Sequence, residues 1–326
     1  MDKLNKYLIN NFFHTFIILF GILFVISSMI LLLTISNVTM MLKINISEFL
    51  YLYFLSLPEI IFFTIPLSFF IAASITIAKL FENSELLSVL SLGVSPKKIL
   101  KPFLYISIFI TIISLIITFF SVPASSILYK NFFNIKKAES NFNFLVSSTG
   151  QKFGEWSLFA QKKVNKKYHN IVMYNNKKKI LITAPIGYTT KKDNIFSLIL
   201  LNGHIYNKNK KTNYIKFKKL KINEKINITN LSFQTIGQYI KTNKDKTNKY
   251  FLISFFPLIA YFFIGGISFF HNRYQKNYSI IYTLAISIAY YIAAFVLHKN
   301  LYSIFYIVPI FIIIGIIFSK KRIKRF

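Results

Sequence analysis

The sequence predicts an α-helical membrane protein with six transmembrane helices and an all-β, jelly-roll-like domain inserted between the third and fourth. Three observations carry that expectation: six charge-poor apolar runs, a central segment whose apolar residues alternate, and an uneven placement of Lys and Arg. Of 326 residues, 54% are hydrophobic and 18% aromatic. A soluble domain has roughly 45–50% apolar residues, and here the excess is concentrated in the six runs.

The runs are Phe12 to Ile35, Phe49 to Ala78, Ile99 to Val122, Tyr250 to Phe270, Tyr278 to Leu297 and Leu301 to Phe318. Each is close to or above the roughly 20 residues a helix needs to cross a bilayer core. The first follows Lys3 and Lys6, exceeds the length of a signal-peptide core and has no small-x-small cleavage pattern after it, so it is expected to remain as an anchor. The second contains Pro66, which predicts a bend, and the acid Glu59. A carboxylate inside a span is costly and often functional, but Glu59 lies near the outer end of a run longer than one crossing. Interfacial and functional readings of it both stand.

Between the second and third runs comes "KLFENSELLSVLSLGVSPKKILKP", Lys79 to Pro102. Asn83 or Ser84 is expected to cap a short helix at about 82–95, with Glu85 in its first turn and Gly93 as its stop. Ser95-Pro96 reads as the cap and first residue of the next helix. At 3.6 residues per turn Ser84, Ser88, Ser91 and Ser95 form a small polar stripe, and Leu86, Leu87, Leu90 and Val94 form an apolar face. Such a helix suits a membrane surface or a partner's groove.

Orientation follows from the basic residues of the short segments. With the N-terminus in the cytoplasm, that side holds Lys3, Lys6, Lys79, Lys97, Lys98, Lys101, Arg273, Lys276 and the tail from Lys320 to Arg325, whereas the short outer loops hold only Lys43 and Lys299. Both termini are then cytoplasmic, and the organisation is 1–122 for the first three spans, 123–249 for the outer domain and 250–326 for the last three. From about Val146 to Ile228 the pattern changes to short alternating runs such as "HNIVMYNN", "KKILITAPIGYTT" and "TNYIKFKKLKIN". Asn175-Asn176-Lys177 and Lys191-Lys192-Asp193-Asn194 separate them, and Asn202-Gly203 is read as a bend from one strand into the next. A sandwich or jelly roll is expected, with helical flanks at Ser125 to Ser140 and Leu231 to Asn248. Its interior could hold an acyl chain or be an ordinary packed core.

The formal charge is +30, and the abundance of Lys, Asn and Ile together makes compositional bias a sufficient account of much of it. Nucleic acid is not expected as a partner, because the basic domain faces away from the cytoplasm. There is no cysteine, hence neither a disulfide framework nor a thiolate metal site. The chain has no phosphate-binding Gly-x-x-x-x-Gly-Lys-Ser/Thr loop and no nucleophile elbow, and its five histidines are scattered without zinc-site spacing. The expectation is a non-enzyme with no catalytic residue, metal or cofactor of its own.

The layout of three spans, an outer β domain and three spans, with "LPEIIFFTIPLSFF", "FENSELLSVLSLGVSPKKILKP" and "ITAPIGYTTKKDNIFSLILLNGHIY", closely resembles the lipopolysaccharide-export permeases of the LptF/LptG (YjgP/YjgQ) family. The likeness spans essentially the whole chain. Ser84-Glu85-Leu86 and Leu92-Gly93-Val94-Ser95 are its most specific part, and Pro58-Glu59 with Ile65-Pro66-Leu67-Ser68 leans toward the F type.

The resemblance implies an inner-membrane permease of a Gram-negative bacterium, paired with a sister permease of the same family and bound by a cytoplasmic ABC ATPase dimer that uses ATP. Lipopolysaccharide would pass to a periplasmic jellyroll bridge protein. It further implies that the loop helix is the coupling helix, with Ser84, Glu85, Leu86, Leu90, Gly93 and Ser95 in the contact and Glu85 as the coupling carboxylate. A cavity for a phosphorylated lipid needs cations at its outer rim, where the predicted topology puts Lys43, Lys130, Lys136, Lys137 and Lys299. Each of these lysines can equally be a solvated residue that snorkels at the interface. A permease for another lipid, or a receptor with an outer β sensor, are the alternatives; the short inner segments disfavour the receptor.

Overall fold

The computed structural model describes residues 2–40, 42, 44–142, 151–153, 156–165, 167–192, 195–207, 213–226, 228–270, 277–300 and 302–324. Among these, six helices are long and apolar enough to cross a membrane: Lys3–Thr39, Ile46–Glu82, Pro96–Glu139, Lys244–Ser268, Ser279–Leu297 and Ser303–Ile323. They match the six apolar runs, so the chain is a multi-pass membrane protein. In chain order the helices are α1 (Asp2–Thr39), α2 (Ile46–Glu82), α3 (Glu85–Ser91), α4 (Pro96–Ile116), α5 (Val122–Phe142), α6 (Phe233–Thr242), α7 (Lys244–Ser254), α8 (Phe256–Ser268), α9 (Ser279–Leu297) and α10 (Ser303–Ile323). The strands, all between α5 and α6, are β1 (Gln151–Phe153), β2 (Trp156–Val164), β3 (Lys167–Asn175), β4 (Ile180–Lys192), β5 (Ile195–Asn207) and β6 (Asn213–Lys225). The chain divides into a helical unit of residues 1–37, 47–126 and 231–326 and a second unit of residues 38–46 and 127–230.

In the helical unit α2 and α8 are central. Phe62, Phe69, Phe70, Ile77 and Phe81 of α2 and Phe256, Ile259, Ala260 and Ile264 of α8 are buried in one core. Its packing is aromatic: the Phe81 and Phe269 ring centroids lie 4.6 Å apart, and Phe12 meets Phe69 and Phe103 edge-on at 5.8 and 5.6 Å. Along α1, by contrast, Ile17, Ile22, Val25, Met29 and Leu33 are exposed. A continuous apolar face of this kind is ordinary where the solvent is lipid. Both Pro58 and Pro66 lie inside α2, which is helical throughout. Nearby hydroxyls turn inward onto the helix, Thr64 donating to the Ile60 carbonyl at 2.9 Å and Ser68 to that of Thr64 at 2.7 Å.

Two irregularities meet deep in this unit. The third span passes through a π turn, Ile117–Ser121, and the fourth breaks at Phe255, with Pro257 in the first turn of α8. Thr118 and Ser254 share a buried hydroxyl hydrogen bond of 2.9 Å between the two sites. Tyr290 donates to the Leu252 carbonyl at 2.5 Å. Backbone irregularity at membrane depth is tolerated where side chains bond the polar groups around it, as the Tyr290 hydroxyl does at the Leu252 carbonyl beside the break.

The β domain is present, with a simpler connectivity than a jelly roll: the described strands form one antiparallel sheet in the order β1-β2-β3-β4-β5-β6, each paired with its sequence neighbour. Asn202-Gly203 is a correction to the sequence reading, for it lies inside β5 and not at a bend between strands. Buried positions include Tyr168 and then Ile171 and Met173 on β3, and Ile182 and Ala184 and then Gly187 on β4, whereas β5 buries all of Phe196 to Leu200 and then Gly203. On β3 and β4 the alternation shifts by one residue at the same level. Between the paired positions on either side lie Asn170, Pro185 and Asn202. Asn170 and Asn202 have φ of 53° and 52°, in the left-handed region that Asn tolerates better than most residues, and Pro185 has no N–H to give the ladder. The crease lets one sheet turn both halves onto a single core that includes Ile171, Met173, Ile182, Ala184, Leu198 and Leu200. Gly203 is required there, because a Cβ would collide with the Phe217 ring and the Thr183 carbonyl.

Candidate functional site

The most specific sequence feature folds into α3, seven residues joined to α2 by Asn83 and Ser84 alone. Ser84 occupies the N-cap place but has left-handed backbone, φ 63°, and its side chain makes no cap hydrogen bond, which corrects the expected Ser or Asn cap. The first turn is held otherwise. Asn83 Nδ2 donates to Glu85 Oε1 at 3.2 Å, and Tyr7 Oη of α1 donates to Glu85 Oε2 at 2.6 Å.

The C-terminal end follows the sequence expectation closely. Gly93 has φ +82°, its N–H donates to the Leu90 carbonyl at 2.9 Å, and the Val94 N–H reaches the Val89 carbonyl at 3.4 Å. These are the paired bonds of a Schellman motif. Ser95 then sits at the N-cap place of α4 with Pro96 at the first helical position; its backbone carbonyl accepts from Lys98 N–H at 2.9 Å, with no side-chain cap bond.

The two faces of α3 separate cleanly. Leu86 is 2% exposed and belongs to the core of the helical unit, and Leu87, Leu90 and Val94 pack partly buried against it. Leu86 and Leu90 therefore seat the helix on its own chain. Ser84, Ser88, Ser91, Leu92, Gly93 and Ser95 are exposed on the other side. The Ser88 and Ser91 hydroxyls turn back onto the Ser84 and Ser88 carbonyls, at 3.1 and 2.8 Å, leaving a smooth surface. Leu92 stands out of it at 83% exposure. Sequence reasoning put Leu92 in the motif but not in the site; its place beside the stopping glycine, outside the apolar stripe, is the signal that could have marked it.

Glu59 is exposed on α2 and accepts a short hydrogen bond from Tyr250 Oη of α7. The Lys249 ammonium lies 5.3 Å from the Tyr250 ring centroid and 4.5 Å from that of Phe295, and Lys246 lies 5.7 Å from the Tyr250 ring. Glu59 is thus one member of a polar cluster tying the second span to the fourth. Tyr250 and Lys249 were missed because they adjoin Glu59 only in space.

Of the candidate rim lysines, Lys43 lies outside the described residues. Lys130 and Lys137 are exposed on α5, seven residues apart and so on one face of the helix. Lys136 forms an ion pair with Glu139 at 2.9 Å. Lys299, exposed, lies in the α9–α10 connection of the helical unit, which buried Asn248 fastens by donating to the carbonyls of His298 at 2.5 Å and Asn300 at 3.0 Å.

A family model described as lipopolysaccharide export system permease LptF/LptG matches residues 6–319. No curated protein matches the chain.

Proposed function

The chain belongs to the LptF/LptG family of lipopolysaccharide export permeases, and from that premise we propose that it is the permease subunit of an ABC transporter that extracts lipopolysaccharide from the inner membrane. It pairs with a sister permease of the family, both termini in the cytoplasm, and lipid enters between the two from the outer leaflet. A cytoplasmic ATPase dimer hydrolyses ATP, and the closing permeases pass lipid to a periplasmic jellyroll bridge. The chain itself performs no catalysis and binds no cofactor.

The observation that supports this most directly is the division of α3. Its greasy side is spent on the chain's own core, and what it offers outward is a small, smooth, hydroxyl-bearing surface with one protruding leucine. Small residues allow close approach of another backbone, Leu92 is an apolar anchor for a pocket, and Glu85 supplies an anion for a partner's cation. Affinity purification of the chain in mild detergent, with identification of what accompanies it, tests the assignment. An ABC ATPase and a second six-span permease are expected; an isolated chain, or a kinase in their place, would overturn it.

For the outer rim, Lys130 and Lys137 attract the lipid's phosphates. Lys136 is a poor probe, since Lys136→Glu would set two acids three residues apart where an ion pair now stands. The double variant Lys130→Glu, Lys137→Glu should lower photocrosslinking of lipopolysaccharide to the assembled transporter about tenfold, as two repelled phosphate contacts of ~0.7 kcal/mol each would. Membrane insertion should not change. Unaltered crosslinking would leave both lysines as ordinary solvated side chains.

A further inference from the structure

Glu85 has a donor on each oxygen, and the two donors come from different places. Asn83 belongs to the two-residue connection before α3, but Tyr7 belongs to α1, 78 residues away. The end of α1 that carries Tyr7 is firmly seated, with Leu8 and Phe12 buried in the same core as Leu86. The Tyr7 ring points away from that core at 47% exposure and reaches α3 through its hydroxyl. A ring this exposed contributes little packing to the fold, so the position of its hydroxyl is its main structural consequence. Through its two-residue connection α3 is tied by backbone bonds to α2, Asn83 N–H to the Lys79 carbonyl and Ser84 N–H to the Phe81 carbonyl, both at 3.0 Å, and not to α1. Its apolar face fixes how deep the helix sits, and the Tyr7 bond is the described side-chain hydrogen bond between α3 and α1.

We propose that Tyr7 is a positioning residue: its hydroxyl holds the Glu85 carboxylate in place for the ATPase and joins α3 to the inner end of α1, so that displacement of the docked helix is passed to the first span. The inference rests on the docking role of α3 and adds to it a direction of transmission. A helix whose most apolar stretch is little buried, as in α1, has few contacts to resist a pull at its seated end.

Tyr7→Phe keeps the ring and removes only the donor. In the reconstituted transporter of both permeases and the ATPase, lipopolysaccharide released per ATP hydrolysed should fall about three- to tenfold, the scale of one solvent-accessible charge-assisted hydrogen bond, with the ATPase still co-purifying. In the permease pair without ATPase, a nitroxide on Ser88→Cys, in a chain with no other cysteine, should become more mobile when Tyr7→Phe is added. Wild-type release per ATP in Tyr7→Phe overturns the proposal whatever the label shows. If no ATPase associates even with the unmodified chain, the docking reading fails by itself; the label then decides, and unchanged mobility at Ser88 overturns the tie.

Discussion

Glu85→Ala is expected to leave the chain inserted and paired with its sister permease, to strip the pair of its ATPase, and to abolish growth of a strain that depends on the transporter. On a purely local reading the carboxylate only favours the first turn of α3, which is worth about 0.3–1 kcal/mol, and the variant would work with a slightly frayed helix. The structure adds the bond from Tyr7, whose loss would loosen α3 without removing its exposed surface. Docking asks more of the same group, because losing one partner of a charge pair in a partly buried interface costs roughly 2–5 kcal/mol, or on the order of 30- to several-thousand-fold in affinity. Glu85→Gln separates the two roles: an amide oxygen can still accept from Tyr7 but offers no charge to a partner. It should therefore keep the Ser88 label immobile and still lose ATPase. Glu82→Ala serves as the comparison, since Glu82 accepts from Asn277 at 3.1 Å at an exposed site and is not on the outward face of α3. Full complementation by Glu85→Ala with normal ATPase co-purification would remove this residue from the coupling contact.

The parts of the fold legible in the sequence are those set by local chemistry. The six spans could be read because lipid imposes length and apolarity on each helix separately. The end of α3 could be read because Gly93 is free to adopt the left-handed backbone of a stopping residue. What escaped was set by neighbours distant in sequence. Ser84 looks like a cap, but Glu85 is instead held by a tyrosine of α1, and no local pattern pairs position 7 with position 85. Asn202-Gly203 has the composition of a hairpin turn, and its backbone is indeed left-handed at Asn202; only the adjoining Pro185 and Asn170 convert that conformation into a crease across the sheet. The π turn at Ile117 and the break at Phe255 were likewise invisible, because Ile-Thr-Phe-Phe-Ser reads as an ordinary apolar helix and the hydroxyl that meets it, Ser254, belongs to another span. Sequence reasoning therefore read the outward face of α3 and missed what holds the helix in place.

The same lesson applies to the glycines of the fourth and sixth spans, where Gly266→Leu is expected to be among the most damaging single substitutions. Without a hydrophobic drive between apolar helices in lipid, association depends on close packing, and small residues permit it. In α8 and α10 the fit is reciprocal. A Cβ at Gly266 would run into the Phe318 ring and come within 3.1 Å of the Phe318 backbone, and a Cβ at Gly315 would come within 2.9 Å of Phe262 Cβ. Each helix thus supplies a glycine opposite the other's phenylalanine. The close approach is further fixed by Ser319, whose hydroxyl accepts from the Gly266 N–H at 3.0 Å and donates to the Phe262 carbonyl. A leucine would push the helices apart and break those bonds as well. Overpacking alone costs about 1–3 kcal/mol, and the lost bonds about 1 kcal/mol more, against a total stability of roughly 5–15 kcal/mol. The thermal midpoint of the detergent-solubilised chain should drop by about 5–10 °C, with much less folded protein recovered from membranes. Gly21→Leu is the matched control: a Cβ there meets nothing within 4 Å, so its midpoint should stay at the wild-type value. Adding Phe318→Ala to Gly266→Leu should restore part of the loss by removing the ring that collides. Equal midpoints for Gly266→Leu and Gly21→Leu would mean that the two helices are not held at this distance.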